Sequence, residues 1–317
     1  MNDNTMQLHR ARAGTSDNWS DRARYFNSGN AFAMSLPAVP SVQFTDERNA
    51  AFDPDGPTGL IDMNLSHVLQ TPFAATTPFA MSRYMRIRAG ESLCPNLVAS
   101  AQVICILKGA GHTTGSANTG ESASNSGSTR WAAGDVMLLP CTELFTHVAT
   151  EETVAWLVTD EPTLSFLGLN ASDYQRIPVQ QPVHYLAQDL DRELDAVYAH
   201  PDVKQFAGYA VVLSHDRMEQ SRNIHPTLTL ALNSLPPESA QRPHRHNSMA
   251  LTMCIDGKDC YSTIDGQRKD WEDFAVMVTP PGAMHSHHNA GSQRMRCLIV
   301  QDGALYYHGR TMGFSFD

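Results

Sequence analysis

Three features are scarce in this 317-residue sequence, and each scarcity excludes a class of protein. Basic residues are few: 23 Lys and Arg stand against 33 Asp and Glu, for a formal charge of −10, so a basic surface for nucleic acid is not expected. No run of about 18 apolar residues is present to span a bilayer, and the first 14 residues hold no apolar signal core. We therefore predict a cytoplasmic protein whose partners include neither nucleic acid nor a membrane.

CxxC pairs are the third scarcity, since none occurs among the six cysteines. This pattern argues against a zinc ribbon and, in a chain of this length, against a disulfide scaffold, so we predict buried, reduced thiols. Apolar residues are plentiful at 42%, against 18% charged, which is enough for a substantial core. The 14 histidines are unusual, and their positions matter more than their number.

Composition divides the chain into four parts. The predicted parts are an N-terminal arm at 1–75, a first β domain at 76–180, a linker at 181–225 and a second β domain at 226–317. The strand prediction rests on short apolar runs at 80–87, 101–107, 135–139, 153–158, 209–213, 227–232, 249–255, 261–264, 274–279 and 296–301. Helical spacing at 187–200 predicts a connecting helix. The Ser- and Gly-rich stretch 112–129 predicts a mobile loop.

The two β regions share an internal repeat. A strand that ends in glycine is followed by a strand that ends in proline, at Gly109 and Pro140 in the first half and at Gly257 and Pro280 in the second. The separations are 31 and 23 positions, and the stretch 112–129 absorbs the difference. Duplication of a β unit of this size predicts two copies that each close on themselves as a sandwich or barrel.

Three histidines of the second half stand at spacings that suit a metal site. His244 and His246 alternate on a predicted strand, so both imidazoles project to one side. His285 follows a Pro-Pro-Gly turn that can bring a third imidazole from a neighbouring strand. Three neutral nitrogen donors in an apolar cavity suit a divalent transition metal. The alternative is a cluster of surface histidines at a strand end that pair with acids.

These residues resemble the cupin superfamily. His244-Arg245-His246 resembles the paired histidines of the first cupin motif, which closes at Gly257, and residues 280–289 fit the PxGxxHxxxN pattern of the second. The resemblance implies an all-β bicupin, with two tandem double-stranded β-helix (jelly-roll) barrels and a short connecting helix. It also implies that His244, His246 and His285 are metal ligands.

Two positions depart from the cupin pattern. The glycine expected six residues before Pro280 is Phe274, so the turn there must be built differently. The glutamate ligand expected four or five residues beyond His246 is replaced by Ala250 and Leu251. The resemblance therefore implies a three-histidine site without a glutamate.

The first half does not repeat the ligands. Placed by the same spacing, its three ligand positions hold Asn96, Val98 and Phe145. None of these is an imidazole, so the first barrel is predicted to be a degenerate copy without metal, retained for packing or assembly. His147 lies two positions from the third ligand position, and we interpret it as a structural or exposed histidine.

Among bicupins, the sequence resembles the gentisate and salicylate dioxygenase group, whose Fe(II) enzymes cleave hydroxylated benzoates by inserting both oxygen atoms into the ring. The stretch around His244 and the Thr279-Pro280-Pro281 segment that leads into His-X-His-X-Asn carry this resemblance. It implies an enzyme of aromatic compound catabolism that uses Fe(II), in preference to Mn, Ni or Zn. Its substrates would be a small aromatic acid and O2. His287 is implied as a catalytic residue that hydrogen-bonds substrate or bound oxygen.

Two features differ from that group and bear on substrate binding. Its metal lies in the N-terminal copy, whereas the histidines here lie in the C-terminal copy, and its carboxylate-binding arginine is replaced by Thr252. Arg83, on a predicted strand, is a candidate substitute, with a solvated edge strand as the alternative. Gln301 and Arg310, placed in the closing strands, are candidates for lining the cavity. Together with Thr252 and His287, these residues form the predicted substrate-binding set.

Two other functions stay open from the sequence. A metal used only as a Lewis acid would make the protein a lyase, isomerase or hydrolase of a small organic acid that works without O2. Tyr261, Tyr306 and Tyr307 would then serve as acid or base, or else as packing residues. The second is a non-catalytic ligand-binding bicupin. We expect a homodimer or homotetramer, because bicupins pair through exposed strands.

Overall fold

The computed structural model describes residues 19–31, 33, 36–117, 127–169, 181–203, 206 and 208–316. The chain forms two compact units, Met1–Pro37 and Ala38–Asp317. In the first unit the described residues contain one turn of 3-10 helix, Trp19–Arg22. No helix in the described part of the chain has the length and apolar character needed to cross a bilayer.

The second unit consists mainly of short strands. Its first half contains β1 (Gly59–Asp62), β2 (Met81–Ile87), β3 (Ser92–Leu93), β4 (Ala101–Lys108), β5 (Ala110–Ala117), β6 (Ser128–Ala132), β7 (Val136–Pro140), β8 (Glu143–Ala149), β9 (Thr153–Thr159) and β10 (Val183–Tyr185). Its second half contains β11 (Tyr209–Leu213), β12 (Thr229–Leu235), β13 (Ser239–Ala240), β14 (His244–His246), β15 (Ala250–Asp256), β16 (Cys260–Ile264), β17 (Gln267–Asp270), β18 (Val276–Thr279), β19 (His285–Asn289), β20 (Met295–Gln301) and β21 (Phe314–Phe316). The helices are α1 (Thr45–Phe52), α2 (Ser66–Leu69), α3 (Glu161–Leu167), α4 (Ala187–Ala199) and α5 (Gly303–Gly309).

Each half contains two antiparallel sheets that enclose a core. In the first half, β1-β2-β9-β4-β7-β10 faces β3-β8-β5-β6, and both sheets contribute to one apolar cluster that includes Ile104 and Phe145. In the second half, β11-β12-β20-β15-β18 faces β17-β16-β19-β14-β21, with β13 beside β19, and Cys260 packs with Cys297 between them. These are the two tandem jelly-roll barrels that the cupin resemblance predicts, with α4 in the connection.

A larger core joins the two halves through the outer faces of their large sheets. Val103 of β4, Leu251 of β15 and Val300 of β20 belong to one buried apolar cluster. Because successive side chains of a strand point to opposite faces, the neighbours of these residues point into the barrels. Thr252 and Gln301 are therefore directed to the interior of the second barrel.

Each large sheet is extended at one edge by a segment from outside its barrel. The N–H of Phe44 donates to the carbonyl of Val276 over 2.9 Å, and the N–H of Val278 donates to the carbonyl of Val42 over 2.8 Å. In the first half, β10 from the connection pairs with β7. Both additions cover sheet edges that would otherwise be unpaired.

Two matched pairs of residues show the duplication at atomic detail. Asp160 accepts from the N–H of Ser100 over 2.9 Å, and Asp302 accepts from the N–H of Met249 over 2.9 Å. In each half the aspartate directly follows a strand, and the residue whose N–H it accepts directly precedes the neighbouring strand. The prediction of a repeated β unit is confirmed by these counterparts.

The turn before the proline-ending strand is built in a left-handed conformation in both halves. Gly134 has φ +93, and Phe274 occupies the equivalent position with φ +61. Backbone strain at Phe274 is offset by contacts: its ring stacks on Phe52 at 5.2 Å, and its carbonyl accepts from the Tyr84 hydroxyl over 2.6 Å. The missing glycine therefore changes the residue but not the turn.

The observed strands begin and end within three residues of the predicted apolar runs, and the predicted helix is α4. The loop prediction for 112–129 is wrong at both ends, because β5 continues to Ala117 and β6 begins at Ser128. Pairing of β5 with both β6 and β8 satisfies its backbone, so polar side chains do not prevent a strand there. Residues 118–126 of this stretch lie outside the described residues. All six cysteines are free, and only Cys94 is exposed.

Candidate metal centre

Two strands of the second barrel bring three histidines together. His244 and His246 are buried on β14 with the exposed Arg245 between them, as strand alternation requires. His285 on β19 is the cross-strand partner of His244. One ring nitrogen of each histidine lies within 4.8 Å of the other two. The structure thus forms the cluster that the sequence spacing predicts.

Backbone carbonyls fix the orientation of all three rings. Nδ1 of each ring contacts the carbonyl of a residue two positions away in the chain. The distances are 3.0 Å from His244 to Arg242, 2.8 Å from His246 to Ser248 and 2.9 Å from His285 to Ala283. A carbonyl only accepts, so each Nδ1 carries the proton and donates. Nε2 of each ring is left as the lone-pair donor that a metal needs.

Burial keeps these rings neutral. It lowers the pKa of His244 and of His246, and it lowers the pKa of His285 to about 3. Desolvation disfavours the charged imidazolium, and the neighbouring rings add to this effect at His246 and His285. Metal ligation requires neutral imidazole, so this environment favours binding of a cation over binding of a proton.

Gln301 is the nearest polar side chain of the facing sheet. Its amide Nε2 lies 3.3 Å from Nε2 of His246, and its Oε1 lies 3.5 Å from the Ser248 hydroxyl. Gln301 also lies directly across from Ala250 in the register of β15 and β20. The small side chain of Ala250 stands where the cupin pattern places a glutamate, and Gln301 occupies the inner face beside it.

Thr252 and His287 also belong to the interior of this barrel. Thr252 is 2% exposed, and its Oγ1 has no hydrogen-bond partner in the described part of the chain. His287 is buried on the same face of β19 as His285, with 6.1 Å between the ring centroids. Burial and the nearby imidazoles lower the pKa of His287 to about 3. The structure therefore brings Gln301, Thr252 and His287 to the barrel that holds the three-histidine cluster.

Arg83 and Arg310 are not brought to this barrel interior. Arg83 lies on β2 of the first half, where its guanidinium is paired with Asp62 over 2.7 Å and with Glu161. Arg310 is exposed at the end of α5 with φ 58, so its predicted placement in a closing strand is wrong. The chain turns into a helix after Asp302, just as α3 follows β9 in the first half. The substrate-binding roles of both arginines stay predictions.

An aromatic rim borders the cluster, and it was missed in the sequence. On the edge strand β21, Phe314 lies opposite His246 and Phe316 opposite His244. The Phe314 ring is 5.2 Å from the His244 ring, and Arg242 lies 4.5 Å over the Phe316 ring. The phenylalanines are 50% and 42% exposed. The alternating Phe-Ser-Phe pattern of β21 was the available signal, but its pairing with β14 cannot be read from sequence.

In the first barrel, one of the three positions equivalent to the histidine cluster holds a buried apolar side chain and the other two lie at the surface. Phe145 is buried at the position equivalent to His285, whereas Asn96 and Val98 are exposed. In the described part of the first half, no group of His, Cys, Asp and Glu side chains converges as a metal site. His147 is buried rather than exposed, and its Nδ1 contacts the Thr113 hydroxyl over 2.8 Å.

Comparison with known proteins agrees with this architecture. Residues 231–301, which contain all three histidines, match the Cupin domain family. A salicylate 1,2-dioxygenase from Pseudaminobacter salicylatoxidans has the same fold over 90% of this chain and 91% of its own, with a TM-score of 0.69 and 14% identity. The fold is that of a bicupin. An oxalate decarboxylase from Bacillus subtilis aligns with the bicupin over 82% of this chain and 76% of its own, with a TM-score of 0.52 and 15% identity. At these identities the likeness shows the fold alone.

Sequence relatives of part of the chain are named as gentisate and 1-hydroxy-2-naphthoate dioxygenases. A gentisate 1,2-dioxygenase of Ralstonia sp. is 29% identical over 93 residues, which is 29% of this chain and 25% of the relative. A 1-hydroxy-2-naphthoate 1,2-dioxygenase of Nocardioides sp. is 32% identical over 89 residues, 26% of this chain and 23% of the relative. The matched segment spans about a quarter of the length of these curated relatives. Over these residues the chain is distantly related to gentisate-type dioxygenases.

Proposed function

We propose that this bicupin is a non-haem Fe(II) dioxygenase that cleaves the ring of a hydroxylated or otherwise substituted aromatic carboxylate, gentisate- or salicylate-like, with O2 as co-substrate. The observation that carries the proposal is the set of three buried, neutral imidazoles that present Nε2 to one point. Relatives with ring-cleaving names align with the chain over 93 and 89 residues, which supports it. When bound, Fe(II) supplies a Lewis acid and a path for electrons from the aromatic ring to O2.

The charge of the donor set favours an anionic, chelating substrate. His244, His246 and His285 contribute no negative charge, so a divalent metal held by them keeps its full charge. A carboxylate and an adjacent ring oxygen of the substrate compensate that charge. With only three protein ligands, a bound metal would have room for a chelating substrate and for O2. Donor chemistry of this kind suits Fe(II) and also Mn, Ni or Zn, and we propose Fe(II) because the reaction needs a redox-active ion.

The rim favours an aromatic substrate. Phe314 and Phe316 expose apolar ring surface beside His244, where a substrate ring can stack or pack edge-on. Arg242 adds a positive charge at this rim, next to Phe316. An aromatic acid carries both features that such a surface attracts, an apolar ring and an anionic group.

Three inner-face residues have proposed roles with the bound substrate. His287 donates a hydrogen bond to the substrate or to bound oxygen and is the proposed catalytic residue. Gln301 lies against His246 and contacts the substrate group nearest that ligand. Thr252 offers a buried hydroxyl whose Oγ1 has no hydrogen-bond partner in the described residues. These contacts position the substrate and exclude water.

The test combines metal analysis with oxygen uptake. Purified protein is loaded anaerobically with Fe(II) and assayed with gentisate, with salicylates that bear hydroxy, amino, nitro or halo groups, and with hydroxynaphthoates. We expect O2 uptake with loss of the aromatic absorbance for at least one acid. His244→Ala should abolish both uptake and metal binding. His288→Ala is the matched control, because His288 lies on the same strand but stacks on Tyr261 at 4.4 Å, outside the cluster.

Two outcomes would contradict the proposal. Turnover of a small organic acid without O2 uptake, in protein loaded with Mn, Ni or Zn, would indicate a lyase, isomerase or hydrolase instead. Tight binding of aromatic acids without turnover by any metal form would indicate a ligand-binding bicupin.

We also propose the surrounding biology that this function implies. The domain limits predicted above (1–75, 76–180, 181–225 and 226–317) are proposed as an arm, a metal-free cupin, a linker and a metal-binding cupin. A cytoplasmic homodimer or homotetramer in aromatic compound catabolism is proposed. Sedimentation of the purified protein tests the assembly, and a monomer would contradict it.

A further inference from the structure

A chain of two hydrogen bonds ends on His287. Trp271 Nε1 contacts the Ser262 hydroxyl over 2.7 Å, and the same hydroxyl contacts His287 Nδ1 over 2.7 Å. Ser262 and His287 are cross-strand partners on β16 and β19, and Ser262 is fully buried. The Trp271 ring lies edge-on to the His287 ring at 5.5 Å. Both short contacts therefore belong to groups that packing holds in place.

One arrangement of protons gives every group in this chain of hydrogen bonds a partner. An indole Nε1–H donates and cannot accept, so the Ser262 oxygen accepts from Trp271. If the hydroxyl oxygen also accepted from His287, its own proton would have no acceptor among the contacts described for it, which are Trp271 Nε1 and His287 Nδ1. Ser262 therefore directs its single proton to His287 Nδ1. Nδ1 must accept, and a neutral imidazole with an accepting Nδ1 carries its proton on Nε2.

We propose that Ser262 and Trp271 are positioning residues, which hold His287 as an Nε2–H donor toward the anion or oxygen ligand at the metal centre. The inference rests on the proposed function, in which His287 donates a hydrogen bond at the site. It adds that His287 does so as the Nε2–H tautomer. His244, His246 and His285 have the opposite tautomer, with Nδ1–H donated to carbonyls and Nε2 left for the metal. Strand β19 therefore carries His285 as a metal ligand and His287 as a hydrogen-bond donor. The hydrogen-bond partner of Nδ1 determines whether each histidine presents a lone pair or a proton at Nε2.

A donor at this place has a physical use. The molecules that the proposed function would bring to a metal held by the three histidines are oxygen donors or anions, whose lone pairs accept hydrogen bonds. A fixed Nε2–H in a water-poor cavity stabilises such a ligand without reorganisation, whereas the other tautomer would place two lone pairs against each other.

The first barrel contains the same chain without the ligands. Trp131 Nε1 donates to Thr113 Oγ1 over 2.8 Å, and Thr113 Oγ1 contacts His147 Nδ1 over 2.8 Å. Nε2 of His147 is buried and has no hydrogen-bond partner in the described part of the chain. Phe145 fills the position that His285 holds in the second barrel.

Sequence spacing shows that the two chains are counterparts. His147 lies seven positions after Pro140, and His287 lies seven positions after Pro280. The two tryptophans each precede the same prolines by nine positions. The repeated unit therefore supplies the structural part of the chain in both halves, and only the second half has a metal ligand set beside it. Thr113 is a matched control for Ser262.

The first measurement needs no metal and no substrate. Long-range 15N–1H correlation spectra of the metal-free protein, with His287 assigned through His287→Gln, report which ring nitrogen carries the proton. We expect the proton on Nε2 in the wild type and in Ser262→Thr, which retains the hydroxyl. Ser262→Ala should shift His287 toward a mixture of tautomers, and Thr113→Ala should leave it unchanged.

The second measurement tests the consequence at the metal. Co(II)-loaded protein is titrated with azide, a small anion, and binding is followed by the visible spectrum. Ser262→Ala should weaken azide binding by about fivefold to tenfold, the effect of one hydrogen bond. Ser262→Thr and Thr113→Ala should bind azide as the wild type does. Urea unfolding of Ser262→Ala and Thr113→Ala measures the free energy of unfolding that each hydroxyl contributes. If both hydroxyls were purely structural, the two variants would lose similar stability and neither would change azide binding.

The outcomes separate this proposal from the proposed function. A His287 proton on Nδ1 in the wild type overturns it, and so does azide affinity that Ser262→Ala leaves unchanged. If the tautomer and the azide effect are as expected but no aromatic acid supports O2 uptake, the positioning role stands and the dioxygenase proposal fails.

Discussion

Gln301 donates a hydrogen bond from its side-chain amide to Nε2 of His246 over 3.3 Å. That nitrogen is the atom through which His246 would bind a metal, because Nδ1 is engaged with the carbonyl of Ser248. Gln301 lies across from Ala250, where the cupin pattern places a glutamate ligand. The amide thus occupies the side of the site from which a carboxylate would approach the metal.

Gln301→Glu should therefore increase metal affinity. A carboxylate at this position adds a charged oxygen ligand to three neutral nitrogens, and we expect Co(II) to bind at least about tenfold more tightly. The same change should weaken azide binding, since the metal charge is partly compensated. Competitive titration against a chelating dye at pH 8 measures the first effect, because at lower pH the carboxylate would favour protonation of His246.

Gln301→Ala provides the comparison for this prediction. It removes the amide without adding a charge, so its metal affinity should stay within about threefold of the wild type. Equal affinities of the Glu and Ala variants would show that residue 301 does not reach the metal.

Loss of a predicted ligand should have a much larger effect than loss of a neighbouring histidine. His285→Ala removes one of three nitrogen donors, and we expect Co(II) affinity to fall by more than about a hundredfold, beyond the effect of an outer hydrogen-bond partner. His288→Ala should bind Co(II) as the wild type does, because its ring lies against Tyr261 and contacts the Ser286 hydroxyl. Similar losses in both variants would contradict a three-histidine site. Isothermal titration of both variants provides the measurement.

The fold and the three-histidine cluster were predictable because they depend on local patterns. Alternation places His244 and His246 on one face, and repeated glycine and proline positions reveal the duplication. The positioning chain on His287 was not predicted. Its hydroxyl comes from β16, and the register that pairs Ser262 with His287 depends on the tertiary fold.

One clue to that chain was present but was compared with the wrong residue. His147 lies two positions beyond the counterpart of His285, and its spacing from the proline that ends the preceding strand matches that of His287. The left-handed turn at Phe274 shows the opposite limit. A bulky residue at a glycine position argues against the turn. Its tertiary contacts, which include packing on Phe52, offset the backbone strain.

His147 should make the protein less stable in acid. Burial lowers its pKa from 6.5 to about 4. The unfolded chain then binds a proton more readily than the folded protein, so stability is fully present above pH 6.5 and is lost as the pH falls toward 4. The shift corresponds to about 3 kcal/mol at most.

His147→Gln removes this titration and retains a side-chain acceptor for Thr113. Urea unfolding of metal-free protein from pH 8 to pH 4 measures both stability profiles, and the metal-site histidines contribute equally to each. The variant should be somewhat less stable at pH 8, and the difference should narrow or reverse by pH 4. Parallel profiles over this range would contradict a buried, neutral His147 in the folded protein.

Arg86 should be a major contributor to the stability of the first half. Its side chain is fully buried and donates to the carbonyls of Gly56, Ala51 and Pro54 over 2.9, 2.9 and 3.0 Å, and it contacts Glu152 over 3.1 Å. These carbonyls belong to the Asp-Pro-Asp-Gly-Pro turn and the end of α1, so one guanidinium holds the whole turn against β2. Arg86→Met leaves the carbonyls without these donors, and we expect a loss of about 3–5 kcal/mol in the free energy of unfolding.

Arg88 allows this effect to be separated from a general loss of positive charge. It is exposed just beyond the end of β2, so Arg88→Met should change the free energy of unfolding by less than about 0.5 kcal/mol. Glu152 keeps an ion pair with Lys108 over 2.7 Å in the absence of Arg86, so the loss in Arg86→Met arises mainly from the turn carbonyls. Accordingly, Glu152→Gln should cost much less than Arg86→Met in urea unfolding. If the two losses were equal, the ion pair rather than the turn would be the source of the stability.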